Sequence, residues 1–234
     1  RLIDLNSNSE TAAFNIGLSA AVHPFMLFKM KTIVLIRHSE PIKDRTMPTA
    51  LLPLSERGIL RAQELFSLDI FRSVNAVYSS PYQRALSTAE KLCRCFSTDY
   101  RLRERELGNP QTLDADFWEH QYENHDYKNS DGESLNDTRE RMTLAVGEIL
   151  SSMRDGETAA VVTHAAAICA FLLNECSIEV VNASEKIRKI VHNGNTVLNG
   201  KIAAPSAFIL NFENDRLCSI NYLSTEKELI ADSF

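Results

Sequence analysis

The sequence predicts an α/β protein, a three-layer αβα sandwich with a mostly parallel central sheet and helices on both faces. From Met30 onward, strand-like and helix-like segments alternate, which is the pattern of such a sheet. The apolar run at residues 32–36 is typical of a strand that is covered on both sides. Because the chain has no internal repeat and no obvious linker, we expect residues 30–234 to form a single domain.

Capping residues and apolar spacing predict the individual elements. In the segment SSPYQRALSTAE, Ser80 is a candidate N-cap and Pro81 occupies the first helical position. Asp155 and Gly156 end a long amphipathic helix that begins at Ser134. We predict strands at 32–36, 76–78, 100–102 and 158–162, helices at 55–66, 134–153 and 165–173 besides the one at Pro81, and two final strands around a turn at 213–215.

Composition limits the classes of function. With 44% hydrophobic and 24% charged residues, the chain is that of an ordinary soluble protein, and its net charge of −6 argues against binding nucleic acid or an anionic membrane. A local arginine cluster can still attract a small anionic substrate. The five cysteines are an odd number and favour reduced thiols in the cytoplasm. Cys93 and Cys95 lack a second Cys/His pair, so no metal site is predicted.

Residues 1–29 differ from the rest of the chain. Their mildly apolar stretch at 12–28 is interrupted by His23 and Pro24 and is too short to cross a bilayer. A signal peptide needs a basic start and a small-residue cleavage site, and Asp4 and Glu10 do not fit that pattern, so we do not expect one. We therefore expect an N-terminal extension, either native or not, before a domain that begins at Met30.

Reactive side chains follow four predicted strands. Arg37 and His38 follow the first strand, Arg84 the second, Glu104 the third and His164 the fourth. In open α/β sheets, ligands bind outside the carboxyl ends of the strands. We therefore expect these five side chains at one edge of the sheet.

Arg84 and the two histidines indicate an anion site. A cation in the first turn of a helix is disfavoured by the macrodipole, so Arg84 is either a solvated surface residue or points, with the helix N-terminus, at a bound anion. His38 could be a loop histidine and His164 a cap, but two histidines at strand ends beside arginines favour chemistry. A largely neutral imidazole can attack phosphorus without a metal. The other histidines are interpreted as surface or loop residues: His23, His120, His125 and His192.

The chain resembles the histidine phosphatase superfamily, with its phosphoglycerate-mutase-like fold. The resemblance is carried, in order, by IRHSEP, PLSERGILRAQEL, SSPYQRALSTAE, LRERELG, GESLNDTRERM and VVTHAAAI. It implies that His38 is the nucleophile that becomes phosphorylated. Arg37, Arg84 and His164 would hold the phosphoryl oxygens, and Glu104 would be the general acid. The resemblance favours the phosphatase branch.

This chain departs from the family pattern at several positions. Ser39 replaces the glycine after the first histidine, Ala165 replaces the glycine after the second, and 109–111 replace an acidic–glycine ending. The two small residues add little bulk, so we expect these changes to alter the substrate rather than abolish the reaction. Glu106 competes with Glu104 for the acid role.

The resemblance implies a metal- and cofactor-independent phosphatase that hydrolyses small phosphomonoesters through a phosphohistidine. The alternatives are a mutase and a catalytically inactive relative that binds a phosphorylated ligand or a partner protein.

Residues 41–53 and 109–130 are expected to cover the pocket. Four aromatic residues there either stack on a ring or pack the loop: Phe117, Trp118, Tyr122 and Tyr127. Three cations there either bind a second phosphate or are solvated: Lys43, Arg45 and Lys128. Substrate identity and oligomeric state are not predicted.

Overall fold

The computed structural model describes residues 30–225, and the predicted extension at 1–29 lies outside them. The strands are β1 (Met30–Arg37), β2 (Val74–Ser79), β3 (Ser97–Thr98), β4 (Thr158–Thr163), β5 (Cys176–Asn182), β6 (Ile187–His192), β7 (Asn195–Gly200), β8 (Ser206–Glu213) and β9 (Arg216–Leu223). The α-helices are α1 (Glu56–Phe66), α2 (Gln83–Leu92), α3 (Phe117–Glu123), α4 (Leu135–Ser152) and α5 (Ala165–Leu172).

The central sheet has six strands in the order β3-β2-β4-β1-β8-β9. Strands β3, β2, β4 and β1 run parallel, whereas β8 is antiparallel to β1 and to β9. The expected mostly parallel α/β sheet is therefore confirmed. A second sheet of three antiparallel strands, β5-β6-β7, is an addition that the sequence patterns did not predict.

Side-chain alternation along β1 covers the sheet on both faces. Ile33 and Leu35 pack in a cluster with the apolar faces of α4 and α5. Val34 and Ile36 point the other way and pack with residues of α1 and α2. All four are fully buried, as the apolar run predicts for a strand between two helical layers. Among residues 30–225, no helix is long and apolar enough to cross a membrane.

Three local predictions were wrong. His192, interpreted as a surface or loop residue, is buried at the end of β6. Tyr100–Leu102 is a 3-10 turn rather than a strand, because the Asp99 side chain accepts a hydrogen bond from the Arg101 N–H and caps it. The third strand is the short Ser97–Thr98 pair just before it. Helix α2 begins at Gln83, with Tyr82 at the N-cap position, so Ser80 and Pro81 lie before the helix.

Backbone hydrogen bonds continue past the strand ends and fix the edge where the site lies. The His38 N–H donates to the Thr163 carbonyl at 2.9 Å, and the Ser80 N–H donates to the Val162 carbonyl at 2.9 Å. The residues that follow β1 and β2 are thereby tied to β4. Strand β8 begins beside Arg37, so the segment before it reaches the same edge.

Candidate active site

The His38 ring is held neutral, with Nε2 as its unprotonated nitrogen. Its Nδ1 lies 2.7 Å from the Ser39 carbonyl oxygen and must donate to it, so Nε2 carries the lone pair. Arg84 Nε donates to that Nε2 at 3.0 Å. The side chain is buried, and burial lowers its pKa well below 6.5, as do the charges of Arg84 and Arg37. The ring is therefore unprotonated at neutral pH, with its lone pair facing a guanidinium.

His164 lies against His38 at the carboxyl end of β4. The two ring centroids are 5.0 Å apart and the rings meet edge to face. Ser80 Oγ lies 2.7 Å from His164 Nε2, and Nδ1 is buried without a hydrogen-bond partner in the described part of the chain. Burial lowers the pKa of His164 well below 6.5, and His38 and Arg84 lower it further. This second imidazole is also neutral.

The two site arginines use few of their hydrogen-bond donors. Arg37 Nη1 donates to the Ile202 carbonyl, and its Nε is buried with no acceptor among the residues described. Besides the bond to His38, Arg84 Nη1 donates to the Thr49 carbonyl at 2.5 Å. Within residues 30–225, no carboxylate oxygen lies within 4.0 Å of either guanidinium. Both side chains therefore offer positive charge and unused N–H groups to an anion.

The Glu104 carboxyl is fixed by backbone hydrogen bonds beside the cleft. Its Oε1 accepts hydrogen bonds from the backbone N–H groups of Arg105 at 3.0 Å and Ala167 at 3.2 Å. Burial raises the pKa of this carboxyl, although these two bonds and the nearby arginines partly oppose the rise. Because both contacts use Oε1, Oε2 is left to carry the proton.

Glu106, the competing acid, lies elsewhere. Its side chain is 48% exposed and pairs with Arg103 at 3.1 Å. A solvated carboxylate held by an arginine is poorly suited to deliver a proton at neutral pH. The geometry therefore favours Glu104.

The departures from the family pattern fit the structure. Ser39 is fully buried, and its hydroxyl donates to the Gly58 carbonyl at 2.6 Å. Gly58 itself is required, because a Cβ there would lie 2.1 Å from the Glu40 carbonyl oxygen. Ala165 lines the cleft beside the site. Ser39 therefore adds a hydrogen bond without filling the space above His38.

The loop residues divide into packing and lining roles. Phe117 is buried and packs against Trp118 and Tyr127. Trp118 and Tyr122 line a cleft of about 540 Å³ that also borders Arg37 and Glu104. Of the three cations left open by the sequence, Lys43 and Arg45 are exposed. The third, Lys128, pairs with Asp137 at 2.6 Å. None of the three lines this cleft.

Sequence reasoning missed two residues near the site. Ser80, interpreted as a helix cap, instead bonds to His164. Arg188 reaches the cleft from β6, a strand that the patterns did not predict. The dipeptide Asn193-Gly194, with positive φ at both residues, joins β6 to β7 and is the sequence signal that indicates this hairpin.

Comparisons with known proteins agree with this arrangement. Residues 33–196 match the histidine phosphatase superfamily (branch 1). No curated protein matches the chain. Among solved structures, a mycobacterial glucosyl-3-phosphoglycerate phosphatase is 23% identical, with a TM-score of 0.56 over 84% of this chain and 97% of that one. YhfR of Bacillus stearothermophilus is 22% identical, with a TM-score of 0.57 over 80% and 94%.

A third similar structure is a mutant phosphoserine phosphatase from Entamoeba histolytica in complex with phosphoserine. It is 19% identical, with a TM-score of 0.57 over 82% of this chain and 96% of that one. At such identities the solved structures establish the common fold. The family match covers most of the chain and includes His38, Arg84, Glu104 and His164. This chain belongs to branch 1 of the histidine phosphatase superfamily.

Proposed function

We propose that this protein is a metal-independent phosphatase that hydrolyses small phosphomonoesters through a phosphohistidine on His38. The observation that carries the proposal is the contact between Arg84 Nε and His38 Nε2 at 3.0 Å. A lone pair and an arginine donor then meet at one point, with Nδ1 tied to the Ser39 carbonyl. A phosphoryl group bound there places phosphorus near the nucleophile and an oxygen on the guanidinium.

In the first step, Nε2 of His38 attacks phosphorus, and the bond from phosphorus to the ester oxygen breaks. The Nε–H of Arg84 stops donating to His38 and donates instead to a phosphoryl oxygen, which frees the lone pair on His38 Nε2. Arg37 Nε and His164 Nδ1 supply further hydrogen bonds to the phosphoryl oxygens. Both nitrogens are buried and have no partner in the described chain. Glu104 gives its proton to the departing alcohol.

In the second step, water attacks the phosphohistidine. Glu104, now ionised, accepts a proton from the water, while its Oε1 remains fixed by Arg105 and Ala167. Inorganic phosphate leaves, and the imidazole of His38 returns to its neutral form. Two arginines and two neutral imidazoles supply the charge and hydrogen bonds, so the proposed reaction needs no metal or cofactor.

The substrate class and setting belong to the same proposal. Similar solved structures are named as phosphatases of glucosyl-3-phosphoglycerate and of phosphoserine, which supports a small phosphomonoester here. The five cysteines are unpaired thiols, which supports a cytoplasmic location. We propose that residues 30–234 form one catalytic domain and that the reaction does not require residues 1–29.

The experiment measures phosphate release from a panel of phosphomonoesters in EDTA, with wild type, His38→Ala and the control His125→Ala. We expect release that survives the chelator, is retained in the control and is lost in His38→Ala by at least about 10⁴-fold, as when a nucleophile is removed. Rapid quenching at neutral or alkaline pH should trap one phosphoryl group on wild type and on His125→Ala, and none on His38→Ala.

Circular dichroism and thermal unfolding establish that His38→Ala is folded. Equal rates for wild type and His38→Ala would refute the mechanism. Phosphoryl transfer between carbons of a substrate, without release of phosphate, would indicate a mutase instead.

A further inference from the structure

Beside the phosphoryl site, the cleft of about 540 Å³ has the size of a site for a small molecule. One wall carries Arg37 and Glu104, and another is formed by β5, β6 and the turn between them. A bound ester would place its alcohol portion in this space, because Glu104 protonates the ester oxygen. Residues on the β5-β6 wall therefore face the part of the substrate that distinguishes one phosphomonoester from another.

Arg188 is the half-buried cation on that wall, and it has no acidic partner in the described chain; Lys186, in the turn, is exposed to solvent. Arg188 lies on β6, between Val180 on β5 and Gly200 on β7. Its Nε is buried and lacks a hydrogen-bond acceptor, and no carboxylate oxygen within residues 30–225 lies within 4.0 Å of its guanidinium. By contrast, Lys201 on the same cleft pairs with Glu185 at 2.7 Å.

The neighbours of Arg188 do not neutralise it. Cys169, Tyr122 and Glu104 all raise its pKa, Cys169 most. Burial raises the pKa of the Cys169 thiol and of the Tyr122 phenol, so both are neutral at pH 7. Glu104 carries a proton in the reactive state proposed above. Arg188 is therefore a permanent positive charge that faces no full negative charge when the reaction begins.

We propose that Arg188 determines specificity by binding a carboxylate on the alcohol portion of the substrate, so that the preferred substrates are phosphomonoesters with a second, carboxylic acid group. This inference rests on the proposed function. A guanidinium matches a carboxylate in charge and in its two-pronged geometry. A second phosphate carries about −1.5 to −2 charges at pH 7, more than the one half-buried cation on this wall balances, whereas the single charge of a carboxylate matches it.

The test compares kcat/KM for phosphooxy-carboxylates of increasing chain length with that for alkyl phosphates of the same length. The enzymes are wild type, Arg188→Met, Arg188→Lys and the control Lys189→Met, in which the adjacent cation on β6 lies outside the cleft. We expect wild type and the control to prefer the acid-bearing ester of one chain length. Arg188→Met should lose that preference by roughly 10- to 100-fold, as expected when a charged hydrogen bond is removed, and Arg188→Lys should retain part of it.

Binding in the His38→Ala background separates this inference from the proposed function. Dissociation constants for the same ester pairs, with and without Arg188→Met, do not depend on turnover. If no ester is hydrolysed but the carboxylate preference in binding depends on Arg188, the phosphatase proposal fails and this inference stands. Turnover without any preference would overturn the inference, as would equal losses on both ester types in Arg188→Met. A preference for alkyl bisphosphates over phosphooxy-carboxylates would also overturn it.

Discussion

Two arginines, equally buried, have opposite surroundings. Arg141 on α4 has hydrogen bonds from all of its nitrogens: Nε and Nη2 donate to the Glu133 carboxylate at 2.8 Å each, and Nη1 donates to the carbonyls of Arg101 and Arg103. Arg84 on α2 has a histidine nitrogen and one carbonyl oxygen as acceptors, with no carboxylate within 4.0 Å in the described chain. The exposed fractions of the two side chains are 9% and 8%.

The difference separates an arginine that is paired within the fold from one that, in the function proposed above, binds the phosphoryl group. A buried cation without a counter-ion carries a desolvation penalty, and burial accordingly lowers the pKa of Arg84. In Arg141 the Glu133 carboxylate offsets that penalty, and the pair joins α4 to the segment that carries Glu104. Folding alone does not explain the surroundings of Arg84, whereas the phosphoryl site proposed above accounts for them.

The largest effect is expected from Arg84→Met, which keeps an unbranched apolar stem and removes the charged guanidinium. We expect kcat/KM to fall by about 10³-fold, because preorganised charge at the phosphoryl oxygens is lost. The free energy of unfolding should stay the same or rise, since an unpaired buried cation has gone. Steady-state kinetics and urea unfolding measure the two quantities.

The control is Arg84→Lys, which restores the charge without the planar fork and should recover part of the activity. A large loss of stability in Arg84→Met, with activity per folded molecule unchanged, would show that Arg84 is a structural residue like Arg141.

Arg141→Met should give the reverse pattern. Removing one partner of a buried ion pair leaves the Glu133 carboxylate with Arg103 as its remaining cation and the Glu106 N–H as a further donor, so we expect a loss of about 3 kcal/mol in the free energy of unfolding. For a chain of this size that corresponds to roughly 6–12 °C in Tm. The activity of the folded fraction should fall by less than about tenfold, because only the backbone position of Glu104 is affected. An unchanged Tm would contradict the comparison.

Glu104→Gln tests the acid half of the site through leaving groups and pH. We expect kcat/KM, which reports the first step, to fall by about 10²-fold on alkyl phosphates and much less on p-nitrophenyl phosphate, whose leaving group needs no proton. In wild type, kcat/KM should fall as pH drops through the lowered pKa of His38, which must be unprotonated. It should also fall as pH rises through the raised pKa of Glu104, which must be protonated.

The variants separate the two limbs of this pH profile. Glu104→Gln should lose the basic limb and keep the acid one. Arg84→Met should move the acid limb upward, toward 6.5, because a charge that disfavours the imidazolium has been removed. A basic limb that persists in Glu104→Gln would assign it to the second ionisation of the substrate phosphate instead.

Local sequence patterns were sufficient for the residues that end the parallel strands. Arg37, His38 and His164 follow apolar runs, and parallel strands bring their carboxyl ends to one edge whatever the details of packing. Arg84 was placed correctly in the first turn of a helix, although that helix starts later than expected. Glu104 also reached the site, even though the strand predicted before it is a 3-10 turn.

The other residues of the site depend on contacts between distant segments. Ser80 meets His164 because β2 pairs with β4, and no pattern around residue 80 encodes that bond. Arg188 lines the cleft because β5 packs against α3 and pairs with β6, the strand on which Arg188 lies. A hairpin can be inferred from Asn193-Gly194, but its position relative to the central sheet cannot.

The smallest effect is expected from Ser80→Ala, which removes the partner of His164 and nothing from the phosphoryl site itself. Ser80 Oγ accepts the Tyr82 N–H at 3.3 Å, so its own proton is available for His164 Nε2, which leaves the other proton on Nδ1 as the unpaired donor. Without that hydroxyl the preferred tautomer of His164 is no longer fixed.

In Ser80→Ala we expect kcat/KM to fall about fivefold, the equivalent of one ordinary hydrogen bond. Ser79→Ala, which removes an adjacent buried hydroxyl bonded to the Ser80 carbonyl, is the matched control and should not shift the nitrogen-15 signals of the His164 ring. If Ser80→Ala leaves those signals in place, Ser80 does not select the tautomer, and the buried Nδ1 of His164 must be oriented by the phosphoryl group alone.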